Sequence, residues 1–363
     1  MHRERVAVVV YGATGFTGRL ILAELRRQGL SFAVAGRPSA ALNELGAQYH
    51  VPVLAAALTD PGRVAVALSR GVVTLACAGP YAETGLPLLH AALKAGTHLL
   101  DLSGEPEHLR AVAAHDAEVK ARGLAVVHSV GFDVVPSELL AHLCHKPLGP
   151  LSSMLLATAH TPGVPSHGTL LSYVSMLASG PPRGLSWADG GLRDEALGAH
   201  RQIVPFPAPL GDRAAASVAS AEVVLLARSI PTQRLTHLVG TVAPAALPIA
   251  EQTLPMASRE GLERSLAHLA STSRAGPEES ARATSQFALW CRAETAAGAV
   301  RTMTMNGPDP YGLSAVTAVA CAKAASHAHF SARGVLTPLQ AFEPQPLLAA
   351  MAHAHVRWRP VDG

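Results

Sequence analysis

Over about its first 130 residues the chain alternates short apolar runs with amphipathic helical stretches, and this order constrains its fold more than any other feature. Val6–Tyr11 is an apolar, β-branched run, followed by a glycine-rich turn and by Arg19–Gln28, whose apolar residues recur at helical spacing until Gly29 stops them. Ser31–Gly36, Val51–Ala55, Val72–Ala78, His98–Leu102 and Leu124–Ser129 read as further strands. Ala40–Tyr49, Pro61–Ser69, Leu86–Ala95 and Glu107–Arg122 read as the helices between them. Parallel strands need long crossovers, so strands separated by helices predict a doubly wound parallel sheet in the order 3-2-1-4-5-6. A ligand would then lie above strands one and four, where the order reverses.

Past Pro136 the alternation is lost. A helix over Ser137–His145 leads into proline- and glycine-rich loops around Thr161–His167 and Ser179–Gly191, with strands over Val218–Ala227 and Arg234–Val242. Helices over Glu260–Ala270 and Ser314–His327 follow. Because 363 residues exceed the roughly 250–300 that one core supports, two domains are expected. They are an α/β domain over 1–135 and an α+β domain over 136–312, with a helix near 313–345 packing back on the first.

Composition narrows the function classes. With 15% charged and 49% hydrophobic residues the chain can bury a large core. A net charge of +3, without a basic stripe, gives no nucleic-acid footprint. Leu238 to Ala250, broken by Pro244 and Pro248, is too short for a membrane span, and no signal peptide precedes Val6, so a cytoplasmic protein is expected. Cys77, Cys144, Cys291 and Cys321 are far apart, and beyond Cys144 the histidine pairs His142/His145, His327/His329 and His353/His355 have no acidic or cysteine partner at zinc-site spacing. No metal site is therefore expected.

The turn Gly12-Ala13-Thr14-Gly15-Phe16-Thr17-Gly18 spaces its glycines as G-x-x-G-x-x-G between the first strand and the first helix. There backbone amides and a helix N-terminus can meet a pyrophosphate that bulkier residues would exclude, which makes the domain a Rossmann domain and these residues, Thr14, Phe16 and Thr17 included, its cofactor cradle. Nineteen residues past Gly18 the second strand ends in Ala35-Gly36-Arg37, where an NAD-selective site carries an acid. Arg37 instead offers a guanidinium to a 2′-phosphate, so NADPH is the expected cofactor. Asp60 could hydrogen-bond the adenine or cap the following helix. Ala78, Gly79, Pro80, Ser129 and Gly131, at the carboxyl ends of strands four and six, are expected at the nicotinamide end.

With these residues the chain resembles the saccharopine-dehydrogenase-like oxidoreductases, most closely the trans-acting enoyl reductases. The likeness is carried by Tyr11–Gly18, Ala35–Arg37, Ala78–Tyr81, Ala95–Glu105 and His128–Asp133, and more sparsely by His167–Thr169, Asp309–Gly312 and Gly334–Pro338. The resemblance implies an inserted α+β domain for substrate and dimerisation, and hydride transfer from NADPH to an unsaturated acyl chain on a carrier protein, in a biosynthetic role.

Reducing a polarised C=C also needs a group that holds the carbonyl oxygen and a proton source. Among Tyr81, Ser103, Glu105, His128, Ser129 and Asp133, the first choice is Tyr81, whose phenol can do both, although its ring could simply pack against the cofactor. Asp133 could contact substrate or cap the helix beginning near Pro136. Short-chain dehydrogenase chemistry is excluded, since it needs Tyr-x-x-x-Lys and the residues four after Tyr11, Tyr49, Tyr81, Tyr173 and Tyr311 are Gly, Val, Gly, Leu and Ala. Two other readings stay open. One is C–N chemistry on an amino-acid-like substrate, which would use Arg183, Arg201, Arg228 or Arg234; the other is a non-catalytic NADPH-binding protein.

Overall fold

The computed structural model describes residues 5–163, 165–178, 183–240 and 276–361, together with positions 261, 264, 268 and 271. The helix expected over Glu260–Ala270 and the end of the strand expected over Arg234–Val242 fall largely or partly outside them.

The chain divides into two compact units, 1–132 with 311–350, and 133–310 with 351–363. The first contains β1 (Val6–Tyr11), α1 (Phe16–Arg27), β2 (Phe32–Gly36), α2 (Ala40–Tyr49), β3 (Val53–Ala55), α3 (Pro61–Leu68), β4 (Gly71–Ala76), α4 (Tyr81–Ala95), β5 (His98–Asp101), α5 (Pro106–Ala113), α6 (Asp116–Ala121) and β6 (Ala125–Val127). β1 lies between β2 and β4, and the path runs outward to β3 on one side and through β5 to β6 on the other, all in parallel. This is the expected Rossmann sheet. It gains a seventh strand that the sequence did not suggest, β15 (Gly334–Leu336), parallel to β6. A parallel sheet is covered on both faces, and so β2 is buried at every position and β1 at its last four. Val9, Leu68, Leu88 and Leu89 belong to its core, each contributing about 1.5–3 kcal/mol by burial.

The helix expected over Glu107–Arg122 is two helices. The break before Asp116 starts α6 with a carboxylate whose Oδ1 accepts from Val335 N at 2.8 Å, tethering the added strand.

The second unit contains α7 (Val135–His145), β7 (Ser153–His160), α8 (His167–Ala178), β8 (Arg183–Ala188), β9 (Gly191–Ala196), β10 (Arg201–Pro205), β11 (Asp212–Ser217), α9 (Ala221–Ser229), β12 (Arg234–Gly240), α10 (Glu279–Thr284), β13 (Gln286–Glu294) and β14 (Val300–Pro308). Its mixed sheet runs β10-β11-β12-β7-β13-β14-β16, where β16 is Arg357–Pro360, and β8 pairs with β12 and β9 off that path. Ala157, Val204, Phe206, Leu238 and Trp290 form a core cluster there. The strand expected over Val218–Ala227 is instead helix α9. Between Asp309 and β16 the chain forms α11 (Pro310–Ala325), β15, α12 (Pro338–Ala341) and α13 (Pro344–His353).

Candidate cofactor and active site

The glycine turn is built as a cradle. Gly12 has φ +88°, and a Cβ there would lie 2.7 Å from Ala78 N; one on Gly18 would lie 2.5 Å from Gly12 O. Both positions therefore need glycine, the first for its backbone and for close approach, the second so that α1 can start against the turn. Gly12 N donates to Ala35 O and Gly15 N to Gly12 O, both at 3.0 Å. Gly15 is the N-cap of α1 and supplies no side-chain hydrogen bond, which leaves the first-turn amides of Phe16 and Thr17 facing an anion or water. Thr14 and Gly15 are exposed. The Phe16 ring meets that of Tyr311 edge to face at 5.1 Å.

Tyr11 pairs with Ala35 in register, so Arg37, two residues further along, emerges beside this turn. Arg37 is exposed, and its guanidinium has no hydrogen bond or ion pair among the described residues. Asp60 is the N-cap of α3, its Oδ1 accepting from Arg63 N at 3.0 Å. Of its two sequence readings the structure shows the cap, made through Oδ1.

Ala78, Gly79 and Pro80 form the loop from β4 to α4. The Thr84 hydroxyl donates to the Ala78 and Pro80 carbonyls. The N-terminus of α4 is met by Glu105, which accepts from Tyr81 N at 2.9 Å and Ala82 N at 2.8 Å. A carboxylate at a helix N-terminus is favourable for the same reason an anion would be, so this helix start is already filled. The Tyr81 hydroxyl donates to Ala76 O at 2.9 Å and accepts from Leu102 N at 3.2 Å. Burial, then Asp101, pushes that phenol well above its usual pKa. The one proton of the Tyr81 phenol is thus directed to the main chain, and its ring packs on His108 with centroids 5.4 Å apart.

At the end of β5 lies a buried polar group centred on Asp101, which sequence reasoning did not single out although it named Ser103, His128 and Ser129. Asp101 is 3% exposed, and its carboxylate gathers Ser103 N (3.1 Å) and Ser129 N (2.9 Å) on Oδ1, with His128 Nδ1 (2.6 Å) and His108 Nε2 (3.2 Å) on Oδ2. Burial works to raise the Asp101 carboxyl, but the adjoining His128 and His108 rings outweigh it and hold the group well below the usual carboxylate range. Ligating atoms of the three residues lie within 4.8 Å of one another. The 2.6 Å contact is nevertheless a hydrogen bond, too close for two ligands that share a cation at about 2 Å from each. A lone acid in an otherwise apolar strand was the signal that could have found this group, since a buried charge needs partners.

Ser129 sits in the left-handed region at φ +55° and donates its hydroxyl to Ser103 O. A Cβ on Gly131 would fall 2.8 Å from the Leu102 side chain, and the next amide, Phe132 N, donates to Ser314 Oγ at 3.0 Å.

Asp133 opens the second unit and is accessible to solvent. Surrounding protein, then the charge of Glu222, raises its carboxyl to about 7, while His160 works the other way. Glu222 is itself raised to about 7 by burial, and lies with His237, whose Nδ1 meets Ser220 Oγ at 2.9 Å and Nε2 meets Thr158 Oγ1 at 3.0 Å. Of the arginines available to a carboxylate substrate, Arg183 is paired with Asp194 at 3.5 Å and Arg201 donates to Gly198 O at 2.7 Å.

No family model matches the chain. It is 31% identical over 216 residues to a candidate trans-acting enoyl reductase of Mycobacterium tuberculosis, covering 55% of this chain and 52% of that one. It is 34% identical over 147 residues to the trans-acting enoyl reductase of Mycobacterium leprae, covering 38% and 35% respectively. The chain thus spans about half the length of the curated relatives it matches, or less. In structure it is similar to saccharopine dehydrogenase (L-Glu forming) of Saccharomyces cerevisiae, with a TM-score of 0.64 at 15% identity over 98% of this chain and 99% of that one. The chain accordingly resembles the trans-acting enoyl reductases in sequence and saccharopine dehydrogenase in fold. No helix among the described residues is long and apolar enough to cross a membrane.

Proposed function

We propose that this chain binds NADPH over Gly12–Gly18 and reduces the C=C bond of an α,β-unsaturated acyl thioester. The observation that carries the reading is the glycine cradle, with exposed Thr14 and Gly15, beside Arg37, an exposed arginine at a strand end that holds no acid and without a hydrogen bond or ion pair among the described residues. When bound, NADPH supplies a hydride to the β-carbon. The amides of the α1 N-terminus hold its pyrophosphate, Arg37 pairs with its 2′-phosphate, and the loops after β4 and β6 flank its nicotinamide end. As electrons move toward the carbonyl oxygen, the α-carbon takes a proton from Asp133, an exposed residue beyond the exit of β6 whose carboxyl the neighbouring charge of Glu222 helps to push up. The sequence relatives supply the substrate class; a carrier-bound chain, a biosynthetic role, a cytoplasmic location and a homodimer complete the proposal.

The test follows NADPH oxidation with trans-2-enoyl thioesters. Turnover is expected, and Arg37→Ala should lose about 10- to 100-fold of the preference for NADPH over NADH, the worth of one or two charge-assisted hydrogen bonds. An Arg37→Ala protein with unchanged preference overturns the cofactor assignment. Binding of NADPH without turnover of any enoyl, imine or carbonyl substrate leaves a binding protein.

A further inference from the structure

We infer that Asp101 is a positioning residue for the nicotinamide half of the cofactor site, a role that rests on the NADPH reading above. Two of the four donors on its carboxylate are side chains, His128 and His108; the other two are the main-chain amides of Ser103 and Ser129, in the loops that leave β5 and β6. Ser129 needs such a hold. Its left-handed backbone is costly for a residue with a Cβ, so the conformation persists only when the surroundings impose it. Asp101 fixes its amide and the Ser103 carbonyl fixes its hydroxyl.

The ties continue from there. Ser103 Oγ accepts from Glu105 N at 3.1 Å, the Glu105 carboxylate grips the start of α4, and the Tyr81 hydroxyl bridges the ends of β4 and β5. Asp101, Ser103, Glu105, His128 and Ser129 are each at most 3% exposed, so none of these bonds competes with bulk water and the loss of any one leaves an orphaned polar group. One connected network therefore sets the exits of β4, β5 and β6. Arg37 stands on the other side of β1, at the exit of β2. In a doubly wound sheet the two halves of a dinucleotide lie on opposite sides of the order reversal, and so the exits governed by Asp101 face the nicotinamide half and not the adenosine half.

The experiment titrates the full chain and its Asp101→Asn variant with NADPH and, separately, with adenosine 2′,5′-bisphosphate, which carries the adenosine half alone. Asp101→Asn is expected to weaken NADPH by about tenfold or more and the bisphosphate by less than about twofold, because only the first ligand reaches the β4–β6 exits. Equal weakening of both ligands, which a merely destabilised domain would give, overturns the inference, as does unchanged NADPH affinity. If Asp101→Asn does not fold, His128→Gln takes its place, with an expected loss for NADPH of at least about threefold and the same selectivity. A folded His128→Gln protein that binds NADPH normally is equally fatal. Wild-type protein that binds neither ligand refutes the NADPH reading itself, a different result from any of these.

Discussion

Tyr81 and Asp133 differ in what their polar atoms already hold. The phenol of Tyr81 spends its proton on Ala76 O and a lone pair on Leu102 N, whereas Asp133 is an exposed residue whose carboxyl the charge of Glu222 helps to push up. Tyr81→Phe is therefore expected to cost about 1–2 kcal/mol of stability, since Leu102 N loses its partner, and to leave kcat per folded molecule nearly unchanged. Asp133→Asn is expected to lower kcat about 100-fold. A general acid must be protonated, so wild-type kcat should fall as pH rises through the raised pKa of Asp133 and this limb should vanish in Asp133→Asn. Thermal denaturation and pH–rate profiles read the two effects, and a large kcat loss in Tyr81→Phe would restore that residue to the chemistry. The sequence placed both residues at strand exits but could not show where a hydroxyl points. Asp101 and His108 escaped because their meeting is made by the β5–α5 turn, not by a recognisable motif.

The elements of the parallel sheet were legible because a strand buried on both faces must be a continuous apolar run, and the glycine turn fixes where the first helix begins. Short apolar runs elsewhere are ambiguous between strand and helix. Residues 221–229 illustrate this: Ser220 before the run and Glu222 in its first turn are helix-start signals, outweighed in the reading by adjacent valines and leucines. The helix buries Glu222 at 7% exposure beside His237 Nε2, 3.5 Å from its Oε1. Burial raises Glu222 to about 7 and lowers His237 to about 3, so near pH 5 both are neutral and the contact is not an ion pair. The signs of their linkage are opposite. Glu222 binds its proton more tightly when folded, so its contribution is complete below about 4.5 and is lost as pH rises toward 7. His237 is harder to protonate when folded, so its contribution is complete above 6.5 and is lost as pH falls toward 3. Glu222→Gln should remove the first dependence, on the order of 3 kcal/mol between pH 4.5 and 7. Urea unfolding at several pH values checks it, and a variant with the wild-type slope would show that another group titrates there.

The whole molecule carries an arrangement that no periodicity announced. Both sheets take a strand from the last stretch of chain: β15 joins β6 through Gly334, Val335 and Leu336, and β16 joins β14 through Arg357 to Pro360. A three-residue strand is too short to stand out among loops, and its sheet is fixed only by distant partners such as Asp116. A chain cut after residue 333 should bare the edges of β6 and β14 together, and unpaired edges invite association. Size-exclusion chromatography is expected to show aggregated material, and an elution and melting temperature equal to those of the full chain would deny these strands a structural part. Synthesis on the ribosome proceeds from the other end, so the first unit, although most of it emerges early, waits one strand short until residues 133–310 have been made and β15 follows them. Its nascent form is an open-edged intermediate while the second unit is being made, and a stall before β15 would release it unfinished.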